Sequence, residues 1–581
     1  MDKPKYSSKD KIRKPNIFSL LKPYSGKVVL LIGMALLGNG VNMLIPKIIA
    51  HGIDAFSSKQ FEIKSVATEF LVAASAIFIF TFLQNIIQTF VSEQVAKDLR
   101  SKLSDKISRQ SYTYVLKSNP SKLLTNLTSD IDAVKLFVSQ AFVTIVASVF
   151  VIFGTCILLL LINWRLALAV ISIVPVISFA FFIVLRKVRV LFKRGREIID
   201  LLNMIINESI IGSALIRVLN SQQPESLKFL ETNEESRNLG LSILRLFATL
   251  IPTIMFVGNL AVVTILALGG HFVVAGNMSL GNFAAFNSYI LLLIFPILMI
   301  GFMSNIIAQA SASFTRINDV LESPEDVEGG NISSQIKGDI CLKNVSLFYG
   351  DKPVLRNISF LVKAGSKTAI IGPTAAGKSQ LLYLLTNLIS PGEGSIEFDG
   401  ISTGKFTREL FHSQIGLVFQ ESVLFNLSLR ENIAFSDKVT NEFLEKAIAT
   451  AELTEFIESL PEKLDTLVSE RGTTLSGGQK QRIMLARALA VNPKILLLDD
   501  FTSRVDRKTE NRILANLEKN YPDLTLISVT QKIAPIKDFE QIILLMEGEV
   551  IASGTHRELK ETSPEYIQIY SSQRSTHHYE L

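Results

Sequence analysis

The run Gly372-Pro373-Thr374-Ala375-Ala376-Gly377-Lys378-Ser379 follows an apolar stretch, Lys367–Ile371, and opens a helical pattern over Gln380–Leu388. That spacing of glycines, lysine and hydroxyl is a phosphate-binding loop: glycines let consecutive backbone N–H groups turn inward, and the helix N-terminus adds partial positive charge. Lys378 then neutralises phosphate and Ser379 offers a hydroxyl to Mg²⁺. A second pattern, Ile495-Leu496-Leu497-Leu498-Asp499-Asp500, is an apolar strand ending in two carboxylates. Alone it equally fits a strand-to-turn junction; beside a phosphate loop, the reading that wins is one acid for Mg²⁺ and one group for an attacking water. A third, Leu475-Ser476-Gly477-Gly478-Gln479, leads into the helical run Lys480–Ala490, and small residues at such a start let backbone and hydroxyl approach a phosphate closely.

The elements that must carry these groups occupy the second half of the chain. Short β-branched or aliphatic runs (Lys367–Ile371, Ile415–Phe419, Ile495–Leu498, Leu524–Thr530, Ile542–Met546) alternate with helical stretches from about residue 337, the pattern of an α/β nucleotide-binding domain. The first half is different. Six apolar stretches, near 27–50, 66–91, 138–163, 165–185, 246–275 and 283–303, reach the length needed to cross a bilayer. The loops after the second and fourth are long and basic (Lys97 to Lys135; Arg186 to Arg196 and beyond), whereas the alternate loops are short and nearly free of Lys and Arg. Positive loops stay inside, so both termini are expected in the cytoplasm, with the membrane helices continuing past the bilayer as amphipathic rods. Five segments result: a basic arm over 1–26, a membrane domain over 27–321, an acidic Gly/Ser-containing linker over 322–336, an ATPase domain over 337–572 and a tail over 573–581.

Composition agrees with that division. Of 581 residues, 48 % are hydrophobic and 19 % charged, too apolar for an ordinary soluble protein. The formal charge of +6 is dispersed and forms no basic stripe, which excludes a nucleic-acid partner. Cys156 and Cys341 have no metal or redox spacing and lie in unlike segments, so no disulfide framework is expected. The N-terminal basic arm is followed by an apolar run too long for a signal peptide, and reads as a cytoplasmic arm before a retained helix.

With the Leu475–Gln479 pattern added to the phosphate loop and the carboxylate-ended strand, the chain resembles a half-transporter of the ABC exporter family, six membrane helices fused to one ATPase domain. The resemblance implies ATP and Mg²⁺ as ligands and a dimer in which Ser476, Gly477, Gly478 and Gln479 face the other subunit's ATP. It implies that Tyr349 stacks on adenine, that Gln420 reaches Mg²⁺ and water, and that Ser379 and Asp499 hold the metal. Glu470 matches an acidic loop that touches a partner, Ser503–Asp506 resembles the loop after the catalytic strand, and segments near 119–127 and 210–218 sit where the family has coupling helices.

Two positions depart from the family pattern. The residue after Asp499 is usually glutamate, and here it is Asp500, one methylene shorter; the switch histidine is replaced by Gln531, which cannot carry positive charge. Gln380 stands where Thr or Ser is common. Together, Asp500 and Gln531 point to a site kept for ATP binding and impaired in hydrolysis, as in the degenerate subunit of heterodimeric exporters. The rival readings are a homodimeric lipid flippase with Asp500 as working base, and a non-transporting ATP-gated regulator or channel. Polar residues inside the spans (Asn39, Asn42, Gln84, Asn85, Gln88, Asn259, Asn287, Ser288, Tyr289) contact either cargo or a neighbouring helix. None is clearly ionised, so the expected cargo is an amphipathic small molecule, lipid or peptide. Short external loops and the lack of a targeting signal fit a bacterial plasma membrane.

Overall fold

The computed structural model describes residues 17–326, 329–350, 352–469 and 472–577; some side chains within the helix Ile173–Ile211 and at the end of the last helix are outside the description. Contacts divide the chain into two units, the first reaching to Ser108 and resuming over Ser118–Pro324, the second comprising Arg109–Lys117 and the chain from Glu325 onward.

The first unit is helical, as lipid demands: without water to bond exposed peptide groups, a spanning segment must satisfy its backbone within itself. Among the described residues five helical stretches are long and apolar enough to span a membrane: Ile17–Ser57, Ile63–Ser108, Pro120–Ile162, Gln222–Val274 and Leu280–Leu321. The remaining expected span, 165–185, falls on the helices Trp164–Ile171 and Ile173–Ile211, where several side chains are not described. Large apolar side chains such as Phe78, Phe82, Phe153 and Phe295 stay exposed, as expected of surfaces solvated by acyl chains. The first span is interrupted: one helix ends at Asn42 and the next, Ile45–Ser57, carries Pro46 in its first turn, where a missing N–H is tolerated.

Several intramembrane polar groups find protein partners. Asn39, Asn287 and Ser288 bond carbonyls of their own helices. Gln88 donates to the Ser139 carbonyl, and the Tyr289 hydroxyl to that of Met43 at 3.0 Å. Gln88 and Tyr289 thus bond across helices, whereas Asn39, Asn287 and Ser288 are satisfied within their own. Two further clasps close the bundle. Asp54 accepts from the Ser279 hydroxyl and the Gly281 N–H, both at 2.7 Å, and a Cβ at Gly281 would lie 2.1 Å from the Ala50 carbonyl oxygen, so the close approach requires glycine there. Asp130, buried on a π-helical turn over Asn126–Asp130, accepts from Ser313 at 2.8 Å and from the Arg316 Nε at 3.0 Å.

The second unit holds two sheets. The strands β1 (Ile340–Tyr349), β2 (Lys352–Val362), β4 (Glu393–Phe398) and β5 (Ile401–Ser402) form an antiparallel sheet in the order β2-β1-β4-β5. The strands β3 (Lys367–Ile371), β6 (Ile415–Val418), β7 (Ile495–Asp499), β8 (Thr525–Val529), β9 (Gln541–Met546) and β10 (Glu549–Gly554) form the other, in the order β10-β9-β3-β8-β7-β6. Its pairings from β9 to β6 are parallel and that of β10 is antiparallel. All residues of β7 and β8 are buried, which is why β7 reads as a continuous apolar run up to Asp499 rather than an alternating one. Parallel order puts the ends of β3, β7 and β8 at one edge, where ligands of such sheets bind.

Residues 329–336 pack within the second unit: Gly330 N–H bonds the Gly404 carbonyl at 3.0 Å, Ile332 bridges Phe406, and Ile336 is buried. The Arg109 carbonyl accepts from the Asp326 N–H at 3.1 Å, and the Tyr112 ring meets Tyr383 edge-on at 5.6 Å. The stretch that joins the ATPase unit is thus Arg109–Lys117, ahead of the expected 119–127, which groups with the membrane unit. The boundary falls between Lys117 and Ser118, just before Asn119, whose φ is +60°. In the other basic loop, the short helix Ser213–Val218 lies in the membrane unit with Leu215 and Val218 exposed. Cys156 and Cys341 are both free.

Candidate functional site

The phosphate loop leaves β3 through Gly372, whose φ is +156° and whose substitution would place a Cβ 2.0 Å from the Leu545 carbonyl oxygen. Ala375 and Gly377 also adopt positive φ, +66° and +96°, before the helix Lys378–Leu385 begins. The Lys378 ammonium lies in this curl, donating to the carbonyls of Gly372 at 2.9 Å and Pro373 at 2.7 Å. Burial lowers its pKa, while the charges of Asp499 and Asp500 act the other way.

Around the loop is a cavity of about 330 Å³ lined by Tyr349, Thr374, Ala375, Gly377, Lys378, Ser379, Gln380, Gln420, Asp499, Asp500 and Gln531, all singled out from the sequence. Val354, Val529 and Thr530 complete it. These three went unnoticed because they look like ordinary strand residues; only the pairing of strands places them here. Gly372 and Pro373 contribute to the loop's path, and Ala376 is buried in the core beneath it. Tyr349, 40 % exposed at the end of β1, donates from its hydroxyl to the Gln380 side-chain carbonyl at 2.6 Å.

At the end of β7, Asp499 is 3 % exposed, and its Oδ2 has no hydrogen-bond partner. Burial raises its pKa, the neighbouring charge of Asp500 adds to this, and a hydrogen bond from Ser379 and the charge of Lys378 oppose it. A buried carboxylate oxygen left over, beside a hydroxyl and an amide oxygen from Gln420, is an all-oxygen donor set that suits Mg²⁺. Asp500 follows in left-handed geometry (φ +46°), its N–H bonded to the Val529 carbonyl at 2.9 Å. Burial raises its pKa too, against Lys532 and Lys378. Lys532, which also donates to the Thr502 carbonyl at 3.1 Å, was not anticipated.

The signature residues belong to a different face. Ser476 caps the helix Gly477–Ala490 reciprocally with Gln479: its hydroxyl accepts the Gln479 N–H at 3.3 Å, and its own N–H donates to the Gln479 side chain at 2.8 Å. A Cβ on Gly477 would lie 3.0 Å from Arg504 Cδ, and one on Gly478 would lie 2.9 Å from the Arg504 carbonyl oxygen. Both glycines therefore admit the loop after Asp500, which Gln481 ties down through the Ser503 hydroxyl and the Arg504 N–H. Asp506 caps the next helix, accepting from the Thr509 N–H at 3.0 Å. None of Ser476–Gln479 lines the cavity around Lys378. Glu470 lies outside the described residues.

Two family models match the chain: ABC transporter transmembrane region over residues 28–297 and ABC transporter over 355–503. The uncharacterized ABC transporter ATP-binding protein YfiB of Bacillus subtilis is 34 % identical over 96 % of this chain and 98 % of its own length. The chain belongs to the ABC transporter family. The multidrug resistance-like ATP-binding protein MdlA of Escherichia coli is 30 % identical, covering 95 % of this chain and 94 % of MdlA. An ATP-dependent lipid A-core flippase of Syntrophus aciditrophicus is 28 % identical, covering 85 % and 83 %. Among solved structures, a bacterial Atm1-family ABC exporter with ATP bound superposes with a TM-score of 0.79 at 24 % identity, over 96 % of this chain and 99 % of that one. The ABC chain described here is therefore an integral membrane protein with an exporter fold, whose ATPase domain binds nucleotide and couples ATP hydrolysis to transport.

Proposed function

We propose that the chain is one half of a dimeric exporter that moves an amphipathic small molecule, lipid or peptide across a bacterial plasma membrane, and that its own ATP site hydrolyses slowly. The observation that carries this reading is the lining of one cavity. Lys378, Ser379, Gln420 and Asp499 line it together with Asp500 and Gln531, the two residues that in this reading would face the attacking water and the terminal phosphate. A carboxylate one methylene short is withdrawn by about 1 Å from a water it must hold within hydrogen-bond reach, and misplacement of that size costs on the order of 100-fold in rate. Gln531 hydrogen-bonds phosphate without bringing charge.

In this reading Lys378 and the loop N–H groups hold the phosphates, Tyr349 covers adenine, and Ser379, Asp499 and Gln420 hold Mg²⁺. Mg²⁺ held by these oxygens would neutralise phosphate charge. Ser476–Gln479 faces the ATP of a partner chain, a non-identical half-transporter whose own phosphate loop and carboxylates form the faster site. Closing of the two ATPase domains on ATP is passed to the membrane helices through the cytoplasmic segments near 119–127 and 210–218, where the family has coupling helices. The basic loops support a cytoplasmic side for the ATPase domain and both termini. The names borne by the relatives, a lipid A-core flippase and a multidrug resistance-like protein, support an amphipathic cargo.

The test is basal ATP turnover of the chain purified alone in lipid nanodiscs, with Lys378→Ala as blank and Asp500→Glu plus Gln531→His as repaired control. Negligible turnover that rises about 100-fold on repair supports the impaired site. Robust turnover by the unmodified chain overturns it in favour of a homodimer.

A further inference from the structure

Gln531 borders two cavities, that of the phosphate loop and a second of about 600 Å³ whose lining includes Glu510, Lys532, Lys537 and Gln573. Gln573 lies on the C-terminal helix Pro564–His577, far along the chain from the nucleotide motifs. Its side-chain amide spans the turn after β8: Nε2 donates to the Gln531 carbonyl at 2.6 Å, and Oε1 accepts from the Ile533 N–H at 2.9 Å. The rest of the turn is tied to the site from the other side. Thr530 N–H bonds the Ile370 carbonyl of β3 at 3.2 Å, Thr530 Oγ1 accepts the Lys532 N–H at 3.0 Å, and Lys532 Nζ reaches the Thr502 carbonyl just beyond Asp500.

We infer that Gln573 is a positioning residue for ATP hydrolysis, a clamp by which the C-terminal helix holds the loop 530–533 so that the side chain at 531 faces the terminal phosphate. The clamp grips peptide groups on both sides of Lys532 and ignores the side chain at 531, so it acts equally on glutamine and on a restored histidine. With both amide bonds removed, the loop keeps the Thr530 and Lys532 ties on one flank and, on the other, the buried Ile533 side chain and the Ile533 carbonyl, which accepts from the Ile536 N–H at 3.2 Å. Between these anchors the peptide groups at 531 and 533 lose their side-chain partner, and residue 531 samples positions away from the cavity. The inference concerns the geometry of hydrolysis and stands apart from the proposal that this site is slow.

The experiment compares Gln573→Ala and Gln573→Glu with the unmodified chain in nanodiscs, each also in the Asp500→Glu plus Gln531→His background. Hydrogen exchange of a peptide covering 530–533 is expected to quicken about tenfold in Gln573→Ala, with the melting temperature within about 2 °C. In whichever background turns over ATP, kcat falls about tenfold while KM stays within about twofold, the split expected when a group is misplaced without loss of ground-state binding. Gln573→Glu keeps the acceptor for Ile533 and loses the donor to Gln531, so it falls between the two. Unchanged exchange at 530–533 in both variants overturns the inference, and so does faster exchange with kcat unchanged. Where turnover is below detection in both backgrounds, the exchange result alone decides.

Discussion

The hydroxyl of Tyr349 and the side-chain carbonyl of Gln380 are 2.6 Å apart, so the aromatic ring at the mouth of the nucleotide cavity is braced by the first turn of the phosphate-loop helix. Gln380 is a departure from the family pattern, and the extra length of a glutamine over serine or threonine is what lets it reach the ring. A bond of this kind contributes about 1 kcal/mol, roughly fivefold in an equilibrium constant. Gln380→Ala is expected to weaken ATP binding by about that factor by releasing Tyr349. Titration with a fluorescent ATP analogue checks it, and unchanged affinity would show that the ring is held by stacking alone.

Gly372→Ala is expected to destabilise the ATPase domain rather than merely weaken ATP binding. Its Cβ would meet the Leu545 carbonyl oxygen at 2.0 Å, and that oxygen belongs to β9, a strand paired along β3. Forcing the two backbones apart costs about 2–4 kcal/mol. Thermal unfolding without nucleotide should show the loss, where a defect confined to phosphate binding would leave the melting temperature unchanged.

The nucleotide-free domain should also respond to pH through Asp499. Burial raises this carboxyl's pKa in the folded chain. Its favourable contribution is therefore complete below the unfolded value near 3.9 and is lost as pH rises through the higher folded value. Asp499→Asn is expected to melt with the unmodified chain in acid and above it at neutral pH. Saturating Mg²⁺ and ATP should reverse the order, because the cation needs the carboxylate. A melting-temperature difference that does not vary with pH would contradict this.

In the membrane unit, Arg316→Ala leaves the Asp130 carboxylate, only 4 % exposed, with the Ser313 hydroxyl and the Asn126 amide as donors and no cation. Removing one partner of a buried pair costs about 3–5 kcal/mol, and since the Arg316 side chain is 44 % exposed the loss here is expected nearer 2 kcal/mol. Asp130→Asn keeps the shape and removes the buried charge, so it should cost less. Detergent-solubilised melting curves of the two variants order them; a larger loss for Asp130→Asn would show that the charge itself holds the helix Leu280–Leu321.

The phosphate loop, the carboxylate-ended strand, the parallel-sheet strands and the apolar spans were legible because each is written locally, in a spacing or a run that serves a single element. Even the two departures at Asp500 and Gln531 could be read this way, since each sits at a fixed offset from a strand end. Other features depend on which distant segments meet. The antiparallel sheet of β2, β1, β4 and β5 alternates too irregularly to announce itself, and its β1–β2 and β1–β4 pairings carry register shifts. Asn39 and Tyr289 look alike as polar residues in apolar spans; packing alone directs one to its own helix and the other to the Met43 carbonyl. The grouping of Arg109–Lys117 with the ATPase unit, the brace between Tyr349 and Gln380 and the grip of Gln573 on the loop after β8 arise in the same way. A hydrogen bond between side chains has no period in the sequence; it exists only where the folded backbone brings donor and acceptor within about 3 Å.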